Sequence, residues 1–250
     1  MEWFDKFLDF LYITFVLPIA EWFDKWTDTL YHTFIVEDRY KVLISGFEKT
    51  IIITVGALAI GVVIGTIIAI IKVFAESNRK LKFFDKLCDI YLTVIRGTPV
   101  VVQLLISFFI IFTTAKDGTW VAILTFGINS GAYVAEVIRS GIKAVDGGQM
   151  EAGRSIGLSN VQTMWYIILP QAFKNILPAI GNEMIALLKE TSVAGYVAVV
   201  DLTKAGNQIK NNTYDQFNPI MLVAIVYLVL VMFLTKLLRI MERRLRKSDR

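Results

Sequence analysis

Glu183 lies in an apolar-rich stretch, residues 171–188, directly after Asn182 and shortly after Pro178 and Gly181. A carboxylate in such surroundings can receive the cationic amino or side-chain group of a small polar solute, with Asn182 and Gln103 supplying amide hydrogen bonds. It can equally serve the chain itself, through an interhelical hydrogen bond or an ion pair with Arg96. Asn129 and Tyr133 stand one helical turn apart and either line the same path or pack. Arg96 and Pro99 break a second apolar stretch. They read as a gate or kink, or as an arginine that snorkels or pairs with Asp89. Glu136 and Arg139, three residues apart, suit a local ion pair. No residue is assigned bond chemistry. Cys88 and His32 each occur singly, which excludes an internal disulfide and gives no metal cluster or histidine relay.

Such groups need elements that cross a membrane. Hydrophobic residues make up 55% of the 250, too many for one soluble domain. Residues 50–71 are a run of 22 without a charge, enough to cross a hydrocarbon core of ~30 Å as a helix. A charge at that depth costs about 2.5–3.5 kcal/mol even on insertion scales, so Glu183 must face a cavity or a partner. Five spans are expected, at residues 50–71, 86–114 (interrupted at 96–99), 119–137, 171–188 and 219–238. The expected fold is an all-α integral membrane protein. Basic residues collect after the first span (Lys72, Arg79, Lys80, Lys82, Lys86), after the third (Arg139, Lys143, Arg154) and in the tail from Lys236 to Arg250. This bias places the N-terminus outside and the C-terminus in the cytoplasm. The net charge of +4 lies beside the spans and gives no case for nucleic-acid binding. Glu2, Asp5 and Asp9 stand where a secretory signal would be basic.

Residues 2–15 and 21–34 repeat one another, identical at 10 of 14 positions. Glu2, Asp5, Lys6 and Asp9 share one helical face, as do Glu21, Asp24, Lys25 and Asp28. Phe4, Phe7, Leu8, Leu11 and Phe15 form the opposite face of the first copy, and Pro18 separates the two. Two amphipathic helices at the outer membrane interface are expected, as an interfacial skirt or as a docking surface for an external solute-binding component.

Between the third and fourth spans the chain reads Glu151-Ala152-Gly153, three residues, Gly157, nine residues, then Ile167-Ile168-Leu169-Pro170. Small residues at 152 and 153 allow a helix to lie close against a partner surface. Gly157 can take positive φ and stop that helix, and Ser159 with Gln162 is a capping-box pattern that starts another. The spacing resembles the EAA loop of ABC-importer permeases, with Gly153 for the second alanine. Arg96-Gly97-Thr98-Pro99 with Gln103-Leu104, Ser130-Gly131-Ala132-Tyr133 with Glu136 and Arg139, and Leu188-Lys189-Glu190-Thr191-Ser192 are similar to the polar amino acid permeases of that group. Residues 148–155 also mimic a phosphate loop, but Arg154 replaces its lysine and no strand precedes it, so no nucleotide site is assigned.

The resemblance implies the ABC type I importer permease fold for residues 42–240, with the coupling region at 146–169; domain 1–41, the N-terminal interfacial repeat, is not part of that pattern, and 241–250 form a basic tail. It implies that Glu151, Ala152, Gly153, Gly157, Leu158 and Ser159 contact an ATPase. Pro170 sits where the chain enters the next span, and Arg96, Pro99, Glu136, Arg139 and Pro178 read as gate or structural residues. It further implies a second permease subunit, two ATPase subunits that carry ATP and Mg, an external binding protein, and an amino acid as the solute. The expected setting is a prokaryotic cell membrane. A permease for an osmolyte is the nearer alternative; a secondary transporter would need inverted repeats and ion-coupling carboxylates, which the spans lack.

Overall fold

The computed structural model describes residues 10, 12–76 and 78–247. The charged and apolar faces assigned to the first repeat copy, from Glu2 to Leu11, therefore fall outside the described residues, as does Arg250. Helices account for nearly all of the rest: α1 (Leu17–Phe34), α2 (Tyr40–Ala75), α3 (Lys82–Gly97), α4 (Val100–Ile106), α5 (Gly118–Lys143), α6 (Gly148–Ser155), α7 (Asn160–Thr163), α8 (Leu169–Glu190), α9 (Leu202–Thr213) and α10 (Asn218–Lys247). No strand occurs among the described residues.

The most covered of the long helices is also the most polar. The apolar stretch of α10 is 6% buried within the protein and presents nearly all of its side chains outward. That of α5 is 61% buried, and α5 can carry Asn129, Ser130 and Tyr133. Among the described residues, Val36–Ala75, Gly118–Lys143 and Asn218–Leu245 are long and apolar enough to cross a membrane. Arg79–Gly97 with Val100–Ile111 adds a fourth if that bent pair is one span. The stretch expected to span at 171–188 is helical, as α8 of 22 residues, but with Lys174, Glu183, Lys189 and Glu190 it is not among the helices apolar enough to cross by themselves. It lies against α2, α5 and α10, where helices stand in for lipid.

The interruption at 96–99 is a corner. Thr98 and Pro99 are extended (φ −120°, ψ 140° and φ −62°, ψ 134°) because proline lacks a donor and forces its predecessor out of the helical region. The chain turns by 102° between α3 and α4, so residues 86–114 are not one straight crossing. Pro178, by contrast, sits inside an unbroken α8.

The frame is the parallel pair α2 and α5. A Cβ on Gly61 would meet Ser130 Oγ at 2.8 Å, one on Gly65 Val134 at 2.7 Å, and one on Gly127 Ile60 at 2.7 Å. The expected small-residue face of α2 is met by a matching one on α5. At one end of this pair lie the start of α2, α9 and the α9–α10 turn, with Leu202 N–H donating to the buried Thr50 hydroxyl at 3.1 Å. Asp117 and Asp201 cap α5 and α9 there. The Thr119 hydroxyl and amide hold the Asp117 carboxyl below the usual range, whereas burial pushes Asp201 up. At the other end lie α6 and α7.

Gly65→Val should cost about 1–3 kcal/mol through overpacking, read as a lowered unfolding midpoint in detergent. Gly97→Ala, where a Cβ meets nothing within 4 Å, should leave that midpoint unchanged.

Candidate functional site

Two apolar clusters bracket the middle of the bundle. One joins Ile53, Ala57, Ala122, Phe126 and Leu187; the other joins Ala69, Val134, Ile138, Ala172 and Ile176. The levels between them, from Asn129 to Tyr133 on α5 and up to Glu183 on α8, hold the polar residues. Ser130 Oγ donates to the Glu183 carboxylate at 2.9 Å, and Asn129 Nδ2 donates to Gln103 Oε1 at 3.0 Å.

Three adjoining cavities open around Arg96 and Tyr133. The first, about 410 Å³, is lined by Arg96, Tyr133, Glu136, Asn175, Ala179 and Glu183. The second, about 370 Å³, adds Thr98, Pro99, Asn129 and Glu190. The third, about 620 Å³, adds Lys72, Asp89 and Arg139. The Arg96 guanidinium lies over the Tyr133 ring, 5.5 Å from its centre.

Arg96 pairs with Glu136, rather than with Asp89 or Glu183. Glu136 also accepts from Arg139 at 3.0 Å, as its spacing suggested, so one carboxylate holds two guanidinium groups. Asp89 instead meets Lys72 at 2.6 Å, and Asp85 meets the same ammonium at 2.8 Å. With a hydrogen bond from the Tyr91 hydroxyl to the Ile128 carbonyl, these pairs tie α3 to α2 and α5. The arrangement offers both signs of charge around adjoining cavities: a guanidinium already engaged and a carboxylate held by a single hydroxyl.

Two expected solute contacts point elsewhere. Gln103 spends its amide on the corner, donating to Ile95 O (2.8 Å), Thr98 O (3.1 Å) and Thr98 Oγ1 (2.8 Å) while accepting from Asn129. It staples the two arms of the bend. Asn182 is exposed and turns back to the Pro178 carbonyl at 3.2 Å. Gly181 admits Leu238 of α10, which a Cβ would meet at 2.5 Å. Glu190 and Asn175 were not singled out beforehand. Their signal was present, since Asn175, Ala179, Glu183 and Glu190 follow helical spacing along one face of α8.

At the other end, α6 and α7 form a closed hairpin. Gly157 takes φ 91°, with Leu158 N–H bonded to Gly153 O (3.1 Å) and Gly157 N–H to Arg154 O (3.0 Å), the pair of bonds that ends a helix over a left-handed residue. Ser159 and Gln162 form the reciprocal capping box, and Pro170 sits in the first turn of α8. Gly153 is buried against Thr163 and Ile167 inside the hairpin. Its smallness therefore closes the hairpin rather than admitting an outside surface. Glu151, Ala152, Gly157 and Ser159 are exposed, beside a displayed apolar set of Ile156, Val161, Trp165 and Tyr166.

A polytopic helical frame around a polar midplane, with an exposed hairpin at one end, defines a solute-translocating membrane subunit. The chain belongs to the family of binding-protein-dependent transport system inner membrane components, whose model matches residues 61–247. It is 35% identical over 210 residues to the arginine transport system permease protein ArtQ of Bacillus subtilis, covering 83% of this chain and 94% of that one. It is 35% identical over 208 residues to the glutamine transport system permease protein GlnP of Escherichia coli, covering 82% and 93%. A chain from the crystal structure of an amino acid ABC transporter with histidines superposes with TM-score 0.76 at 41% identity, over 84% of this chain and 98% of that one. A methionine ABC transporter captured facing inward shares the fold, with TM-score 0.71 at 19% identity.

Gln103→Leu should destabilise the corner by about 2 kcal/mol, because it strips bonds and leaves Asn129 unpaired. Thr98→Val should cost less. Unfolding midpoints in detergent read the difference.

Proposed function

We propose that this chain is the permease subunit of an ATP-driven importer for polar amino acids. The observation that carries the reading is the closed α6–α7 hairpin, whose exposed apolar side chains suit the groove of a separate ATPase subunit. The basic loops put that end in the cytoplasm, the α9 end outside and the C-terminus inside. ATP and Mg are held by the partner ATPases, a second permease copy completes the path, and an external binding protein delivers the solute at the α9 end. ATP binding brings the hairpins of the two copies together and opens the path outward; hydrolysis returns it inward.

The solute occupies the cavity between Arg96, Tyr133 and Glu183. Its cationic group displaces the Ser130 hydroxyl from Glu183, and Asn129 and Tyr133 line the way. A site with one free carboxylate favours basic or zwitterionic amino acids, in keeping with the arginine and glutamine systems named for its relatives.

The test is co-purification with an ATPase, then a survey of which solutes raise hydrolysis in the presence of the binding protein. Stimulation by arginine or glutamine is expected; stimulation by glycine betaine alone would overturn the substrate assignment, and solute uptake indifferent to ATP would overturn the mechanism. Glu183→Gln should lower uptake by about tenfold or more, equivalent to ~1.4 kcal/mol, with the complex intact. Gly153→Leu should open the hairpin and separate hydrolysis from uptake, measured as ATP consumed per solute moved.

A further inference from the structure

The second repeat copy, which the transport reading leaves without a role, folds as α1 and ends on the turn between α9 and α10. Trp26 Nε1 donates to Asn218 Oδ1 at 3.1 Å, and the Thr33 hydroxyl donates to Asp215 Oδ2 at 2.9 Å. Asp215 in turn accepts the Phe217 and Asn218 amides that begin α10. α1 is therefore fastened to the turn that starts α10, a helix whose apolar stretch the chain itself leaves almost wholly uncovered.

The fastening uses only the far half of one face. Thr33 and Phe34 are buried. The same face continues toward the N-terminus as Val16, Ile19, Trp22 and Phe23, which are 50%, 65%, 64% and 55% exposed. Trp22 stacks on Trp26 with ring centres 6.0 Å apart and 4° between planes, which carries the apolar strip without a gap from the protein outward. The opposite face holds Glu21, Asp24, Lys25, Asp28 and His32. A strip of this kind in water would be an aggregation hazard. It begins where the lipid-facing wall of α10 ends, at Asn218, and Ile220, Met221, Ile225 and Leu228 of that wall are exposed as well.

We infer that α1 is a membrane-interface helix: it lies in the headgroup region of the leaflet at the α9 end, sinks Val16, Ile19, Trp22 and Phe23 into the acyl boundary, and moors the start of α10 there. Two tryptophans at the junction suit that depth, where an apolar ring and a polar N–H are both satisfied. The polar face carries three acids against one lysine, so insertion rests on the apolar strip and not on attraction to anionic lipid.

The full chain in phosphatidylcholine vesicles tests this, with Cys88→Ala as background and nitroxide labels on Phe23→Cys or Asp24→Cys. Collision with oxygen, which concentrates in lipid, should exceed collision with a nickel chelate several-fold at position 23, and the order should reverse at position 24. Equal access of nickel to both sites would place the face in water and overturn the inference. Exclusion of both reagents from position 23 would mean that a protein, such as a second copy, covers it, and would overturn it too. The readout needs no transport, so its failure is separable from failure of the importer reading. Fluorescence of Trp22 and Trp26 in brominated lipid, with the tryptophans outside α1 replaced by phenylalanine, supplies an independent check: quenching supports the inference, and its absence overturns it.

Discussion

Helices inside a bilayer gain nothing by hiding apolar surface from lipid tails, so they must hold together by close packing and by hydrogen bonds. The contact between α2 and α5 meets that demand with glycines on both partners, which bring Gly61 against Ser130 and Gly65 against Val134. Backbone approach at this distance leaves no room for long side chains between the two helices. Ser130, short enough to sit in that contact, reaches Glu183 of α8, while Asn129 turns to Gln103 of α4 and Glu136 to Arg96 of α3. The location of the midplane cavity is thus a consequence of how tightly its two supporting helices fit.

The same logic explains why the polar layer survives in an apolar setting. Asn129 is answered by Gln103, Ser130 by Glu183, and Glu136 by two arginines. An uncompensated charge would be severely penalised here, while a paired one is tolerated. Gln103 meets another requirement as well. The corner at Gly97–Pro99 exposes carbonyls that no helix can satisfy, and its amide covers those of Ile95 and Thr98. The broken helix and the buried amide are one device.

Mechanical continuity follows from α8. A single π-helical turn, Met164–Ile168, joins the hairpin to an unbroken helix of 22 residues that carries Glu183. Glu183 stands 14 positions beyond Leu169, or about 21 Å at the helical rise. Within the importer reading, a push on the hairpin reaches the cavity along one rod, with Gly181 keeping that rod seated on α10.

The sequence by itself determined what is written in local pattern. Charge-free length marks α2 as a span, Pro99 marks the break, and Gly157 with Ser159 and Gln162 marks the hairpin, because each depends only on neighbouring residues and on backbone preferences. The motif spacing likewise pointed to the family. Only the tertiary structure decided who partners whom. Arg96 had three acids within plausible reach and took Glu136; Gln103 and Asn182 looked like solute ligands and were spent on the corner and on the helix backbone; Gly153 looked like an outward surface and was buried against Thr163. In each case the outcome turns on the angle of a neighbouring helix, set by packing many residues away, and no local pattern of residue types encodes that angle.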